Sequence, residues 1–285
     1  VNVLFNIAID GMAYGMVLFV IAVGLSITLG LMRFVNLSHG AFAMVGGYCA
    51  ALLVREAQWN FWVAVPAAVA LTAALGAVLE ASVFRHLYRR KELEQVLFTI
   101  GLSFVLIATT NALAGPQVQL IPLPPALAGP IDLGWRTLPA QRLLVIGAGL
   151  GIAALAAWVV AYTRFGIWLR AAVDHGGTAS SLGIPIRVVQ CASFAAGAGL
   201  AGLGGILGAE LMPLEPYYAL KYLVLVLVVV SVGGMGSIAG SLVAAVALGL
   251  IETASKYLAS DWGSLFFFVA MAFLLAWRPN GLLKR

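Results

Sequence analysis

Residues 222–251 of this chain contain no Asp, Glu, Lys or Arg, and residues 3–31 contain only Asp10. Runs of this length constrain the fold more than any single residue, because a hydrocarbon layer of about 30 Å is crossed by about 20 apolar helical residues. In that layer no water satisfies backbone N–H and C=O groups, so each crossing segment must close its own hydrogen bonds, which a helix does. Charged residues make up 9% of the 285, far below the roughly one quarter of an ordinary soluble domain, which excludes a water-soluble globule. The formal net charge of +5 would suggest phosphate binding elsewhere, but here the basic residues sit between apolar runs and read as topology signals, not as a nucleic-acid surface. Cys49 and Cys191 lie far apart in apolar surroundings, which argues against a disulfide framework or a zinc site.

The pattern predicts an all-α, polytopic transmembrane helical bundle of eight or nine membrane segments in a single domain over residues 1–285. Six segments are expected at residues 3–31, 34–54, 61–79, 96–114, 143–162 and 188–209. The run at 222–251 is too long for one simple span, and Gly233, Gly234 and Gly236 divide it into two shorter helices or a re-entrant hairpin. A last segment, 262–277, begins and ends in tryptophan, as membrane-interface anchors do. The first segment lacks a preceding basic residue and is long for a signal core, so it is expected to stay in the mature fold. Placing Arg33, Arg85, Arg89, Arg90, Lys91, Arg164, Arg170, Arg187, Arg278, Lys284 and Arg285 inside leaves Arg55, Arg136, Arg142, Lys221 and Lys256 outside. The positive-inside rule then gives an outer N-terminus and an inner C-terminus. Residues 115–141, with six prolines, cannot be a regular helix and fall outside; residues 163–187 fall inside, helical in the middle and stopped by Gly183 and Pro185.

Several chemistries are missing. No Gly-Lys pair occurs, so the chain has no phosphate-binding P-loop; neither His-Glu-x-x-His nor Gly-x-Ser-x-Gly is present, and His39, His86 and His175 are too scattered to suggest a metal site. Asp10 is the one acid within a helical run, near its outer end, while Glu80, Glu210 and Glu252 bound segments and are expected to face water or headgroups. Ion-coupled transport therefore has no strong candidate. Small residues at Gly11, Gly15, Gly197, Gly199, Gly202, Gly204, Gly205, Gly236 and Gly240 allow helices to approach closely. Asn36, Ser38 and His39 form a polar cluster ahead of an apolar span, suited to capping that helix, to shaping an inner gate, or to both. Thr99, Ser103 and Thr110 fall near one helical face, suited either to lining a path or to bonding a neighbouring helix.

Gly11-Met-Ala-Tyr14-Gly15, Asn36-Leu-Ser-His39-Gly40, Met44-Val-Gly46-Gly47-Tyr48, Thr99-Ile-Gly101-Leu-Ser103, Arg170-Ala171-Ala172, Ala179-Ser-Ser-Leu182-Gly183-Ile184 and Gly233-Gly234-Met-Gly236-Ser237 occur in this order. Together they resemble the LivH-type permease subunits of branched-chain amino acid ABC importers, over nearly the whole chain. Two departures stand out: Ala41 replaces the acid that commonly follows the His-Gly pair, and His175-Gly176-Gly177 replaces better helix formers, so the inner helix is expected to be short or bent.

The resemblance implies half of a translocation pathway for branched-chain or other hydrophobic amino acids, in a bacterial inner membrane. It implies a second, LivM-type permease, two cytoplasmic ATPase subunits that use ATP and Mg, and a periplasmic amino-acid-binding protein. No cofactor is expected on this chain. The 163–187 loop would be the coupling element, with Ala171, Ala172, Ala179 and Gly183 letting it seat in a partner's groove, Leu182 beside them, and Arg170 and Asp174 registering the contact. Related permeases for urea or short amides share these motifs, and a stand-alone secondary transporter or channel is the alternative from another class.

Overall fold

A computed structural model describes residues 2–32, 34, 36–88, 90–132, 137–259 and 262–277. Of the basic residues used above for orientation, Arg33, Arg89, Arg136, Arg278, Lys284 and Arg285 lie outside the described residues.

The helices follow the apolar runs: α1 (Asn2–Met32), α2 (His39–Arg55), α3 (Phe61–Leu79), which continues through a π-turn (Glu80–Phe84) into the short α4 (Arg85–Leu87), and α5 (Glu92–Ala114). Beyond the proline-rich connection come α7 (Ala140–Tyr162), α8 (Arg164–Ser181), α9 (Ile186–Leu207), α10 (Tyr218–Gly233), α11 (Ile238–Leu258) and α12 (Gly263–Trp277). Within that connection are one helical turn, α6 (Pro125–Ala128), and a hairpin of β1 (Pro130–Asp132) with β2 (Thr137–Pro139), paired Ile131 to Leu138. Local chemistry sets several starts. The Asn60 side chain accepts from the Trp62 N–H at α3, the Thr163 hydroxyl from Gly166 at α8, and the Ser237 hydroxyl from Gly240 at α11. The long charge-free run does divide at Gly233–Gly236, where Gly234 and Gly236 take positive φ.

The chain is a multi-pass, all-α membrane bundle. Among the described residues, six helices are long and apolar enough to cross a membrane: α1, α3 with its extension, α5, α7, α9 and α11. By this measure six of the expected eight or nine segments are accounted for. α10 and α12 are shorter apolar helices, and α2, with 17 residues, spans only about 25 Å. The expected helix from residue 34 does not form there. α2 begins at His39, because the Asn36 side chain engages the backbone two residues on and draws residues 36–38 into a turn.

α1 is the central post. It runs antiparallel to α11, Gly11 meeting Leu250 and Gly30 meeting Gly236, and antiparallel to α9, Gly24 meeting Gly197 and Ile21 meeting Gly204. At Gly24 the two backbones touch: a Cβ there would lie 2.5 Å from the Gly197 carbonyl oxygen. Between apolar helices in lipid, such close contact supplies the dispersion that water would otherwise drive. The peripheral helices are inside-out. α3 buries only the stripe Ala64, Ala68, Thr72 and Gly76, and α5 only Gln95, Thr99, Ser103, Ile107 and Thr110, one residue per turn. Their remaining faces expose Trp62, Leu71, Val78, Phe104, Val105 and Leu113.

One end of the bundle is tied by charge. Asp10 accepts from Arg142 Nε at 3.1 Å and from the Tyr257 hydroxyl at 2.9 Å, joining α1, α7 and α11 near the proline-rich connection. The opposite end carries α8, packed through Leu169 and Ala172 on Leu31 of α1 and Val189 of α9. Substitution Gly24→Leu is expected to lower stability by about 3 kcal/mol through backbone overpacking, read as a fall in apparent melting temperature in detergent. Gly101→Ala, on a surface with nothing within 4 Å, is expected to leave it unchanged. Equal melting of Gly24→Leu and wild type would contradict the contact.

Candidate functional site

The polar cluster ahead of α2 lies deep inside the bundle. Asn36, Ser38 and His39 are all buried, at 1%, 0% and 2% exposure. Asn36 Oδ1 accepts from the Ser38 N–H at 3.0 Å and from the Ser38 hydroxyl at 2.6 Å. Ser38 occupies the N-cap position of α2, yet its side chain makes no capping bond, so the expected cap is replaced by this closed turn. His39 Nε2 sits 2.9 Å from the Ile21 carbonyl. A carbonyl only accepts, so Nε2 carries the proton. Ile21 lies eleven residues before the end of α1, about 16 Å along its axis. The connection after α1 therefore runs back along the bundle, and α2 starts from within it.

From the other side, the Ser103 hydroxyl of α5 faces both the Leu37 carbonyl at 3.3 Å and the carbonyl of its own Thr99 at 2.9 Å. Thr99 is bonded back to Gln95 and Val96, and Thr110 sits further along the same buried stripe. The structure thus brings Asn36, Ser38, His39 and Ser103 together, places Thr99 one turn away, and leaves Thr110 on the far half of α5.

An aromatic wall that sequence reading missed surrounds this turn. Phe34 meets Phe84 and Tyr88 edge-on at 5.4 Å, Phe84 meets Phe194 at 4.8 Å, and Phe194 meets Phe42 at 5.8 Å. Phe84 enters through the π-turn after α3, an irregularity that recurs at working sites in helical proteins. The i, i+4 spacing of Gly76, Glu80 and Phe84 was the available signal. That same stripe overturns the expectation that Glu80 faces water. It is 2% exposed, with Arg85 Nη2 at 3.8 Å and the Tyr88 hydroxyl donating to it at 3.5 Å. Glu252 is also buried and pairs with Lys256 at 2.7 Å, whereas Glu210 is exposed.

The candidate coupling residues divide by face. Ala172 and Ala179 are buried against the chain's own bundle, at 9% and 3% exposure, so they are not free to enter a partner's groove. Ala171 is half-buried, and Arg170, also half-buried, donates through Nη1 to the Val160 carbonyl of the chain itself. The geometry of α8 puts every fourth residue or so inward, and Ala172 is small where it seats on Leu31 of α1 and Val189 of α9. Outward face Asp174, Leu182, at 79% exposure, and Gly183. α8 is kinked at His175, with φ −147° and ψ 78°, directly before the paired glycines. It ends in a Schellman turn: Ile184 N–H bonds to Ala179 O, Gly183 N–H to Ser180 O, and Gly183 takes φ +87°.

Residues 7–275 match the family model described as branched-chain amino acid transport system / permease component. The chain is 25% identical to the high-affinity branched-chain amino acid transport system permease protein LivH of Escherichia coli, over 97% of this chain and 94% of that one. It is 22% identical to the corresponding protein BraD of Pseudomonas aeruginosa, with the same coverages. With the permease protein LivM of E. coli it shares 27% identity over 94% of this chain and 68% of that one. No solved structure matches the chain.

Replacing Asn36 by Leu removes one acceptor from two buried donors and is expected to cost about 1–3 kcal/mol, against about 1 kcal/mol for Ser38→Ala, which removes one bond. Unfolding of the two variants in detergent, compared with wild type, measures both. Wild-type stability of Asn36→Leu would show that the turn is held by something else.

Proposed function

The chain belongs to the branched-chain amino acid transport permease family, and from that membership we propose that it forms half of the translocation pathway of an ATP-driven importer for branched-chain or similar hydrophobic amino acids. The observation that carries this is the family match over nearly the full length. In this reading a LivM-type permease supplies the other half, two ATPase subunits hydrolyse ATP with Mg on the inner side, and an outer binding protein delivers substrate. The membrane is the bacterial inner membrane, with the N-terminus and the proline-rich connection outside and α8 and the C-terminus inside.

The residues of this chain support a passive role. Both oxygens of Asp10 are engaged, by Arg142 and by Tyr257, so the acid that an ion-coupled transporter would use is occupied as a structural tie. In the proposed coupling step an ATPase engages the exposed side of α8 through Asp174, Leu182 and Gly183, while the buried side, Leu169 and Ala172, passes the displacement to α1 and α9. A close-packed contact moves as a body instead of compressing, so a push on α8 reaches the Leu31 end of α1 and the Val189 end of α9. The turn at Asn36–His39, bonded to α1 through Ile21 and to α5 through Ser103, then shifts with them as the proposed inner gate. Thr99 and Thr110 complete the polar stripe beside it.

The outward position of Leu182 allows coupling to be separated from folding. Leu182→Asp is expected to insert and fold as wild type, to lose co-purification of the ATPases, and to lose at least about tenfold of leucine uptake in cells. Normal ATPase retention and uptake would remove α8 from the coupling role. In vesicles holding the complete complex with internal ATP, labelled leucine is expected to accumulate and labelled urea to stay at background; the reverse would assign the chain to urea import.

A further inference from the structure

At the end that carries the proline-rich connection, α9 stops at Leu207 and α10 begins only at Tyr218. The intervening turn, the last residue of α2 and residues 117–123 border an open cavity of about 680 Å³, within the range of small-molecule sites. Its apolar wall includes Leu120, Ile121, Leu123 and Ala209, and two opposite charges, Arg55 and Glu210, also line it.

Arg55 is held in place. Its Nη1 donates to Gln119 Oε1 at 2.6 Å, and Gln119 is itself fixed, its Nε2 donating to the Ala114 carbonyl at 2.8 Å and its N–H to the Leu214 carbonyl at 2.9 Å. A guanidinium has five N–H donors, so this anchor leaves others for a ligand. Glu210 makes no ion pair among the described residues, and Arg55 and Glu210 do not neutralise each other. Beyond Leu123, which is common to both, lies a smaller apolar pocket walled by Val65, Leu127 and Leu144.

A fixed cation and a free anion facing one apolar cavity are the complement of a zwitterion with an aliphatic side chain. We propose that this cavity is an amino-acid site on the permease itself. The α-carboxylate pairs with Arg55, the α-ammonium with Glu210, and the aliphatic side chain lies on Leu120, Ile121 and Leu123. The assignment rests on the importer reading and deepens it: substrate leaving the outer binding protein has a first station on this chain before it enters the bundle. Because both charges are open to solvent, the site is weak, which suits a station that must release what it receives.

The test is equilibrium binding of labelled leucine to the complete complex in nanodiscs, without ATP and without the binding protein. Saturable binding is expected, displaced by isoleucine and valine, but not by leucinamide, which lacks the carboxylate, or N-acetylleucine, which lacks the ammonium. Arg55→Gln and Glu210→Gln are each expected to weaken it by about tenfold or more, while Arg55→Lys retains part of it. Absence of saturable binding, or binding that neither variant alters, overturns the proposal. So does the case in which the variants lose the binding protein on pull-down yet bind leucine normally, which would make the cavity a protein contact. ATP-driven leucine uptake by the wild-type complex, measured in parallel, separates the two failures: uptake without nanodisc binding sinks the site alone, and absence of uptake sinks the importer reading with it.

Discussion

The contact of α1 with α9 and α11, backbone against backbone at glycines, is the constraint on which the rest of the bundle depends. In lipid, burying an apolar side chain against another helix gains little over leaving it in hydrocarbon, so affinity between helices comes from close approach. Gly24 against Gly197 and Gly11 against the Gly249–Leu250 backbone bring three long helices near enough to act as one body. Around that post the peripheral helices touch by narrow stripes only, and their exposed aromatic and aliphatic side chains face whatever surrounds the chain.

That rigid centre explains why the most polar segment of the interior sits where it does. α2 is shorter than the long helices, and its first residue meets the middle of α1 at Ile21 instead of the end. A turn of three polar residues is held at this depth because Asn36 Oδ1, Ser38 and His39 Nε2 are bonded within the turn and to Ile21 of α1, and Ser103 of α5 bonds the Leu37 carbonyl, beside Phe34, Phe42, Phe84 and Phe194. Asn36 Nδ2 alone of these atoms is left without a partner among the described residues. In the proposed mechanism this is the element that moves, and its ties to two different helices are what a displacement at α8 would act upon. The buried Glu80 with Arg85 and Tyr88 lies at the π-turn that delivers Phe84 to the same wall.

Much of this was legible in the chain. Charge-free length located the long helices, the three glycines at 233–236 marked the break between α10 and α11, and Gly183 with Pro185 marked the end of α8. The paired glycines after His175 foretold the bend there. What the pattern could not give was which face of each helix meets which neighbour. Ala172 and Ala179 look equally suited to a partner's groove and to their own bundle, and only their burial, Ala172 against Leu31 and Val189, decides. Glu80 looked like a boundary residue because it follows the apolar run 61–79; its burial comes from continuing the inward stripe of Thr72 and Gly76 through the π-turn. Asn36 read as a cap because asparagine caps helices, but its acceptor was taken by Ser38 first.

In the proposed function this chain is a conduit whose opening is forced by other subunits. The most direct measurement is concentrative leucine uptake by proteoliposomes holding both permeases without ATPases, under an imposed proton or sodium gradient. No accumulation above equilibrium is expected, with accumulation restored when the ATPases, the binding protein and internal ATP are supplied. Accumulation driven by the ion gradient alone would contradict it.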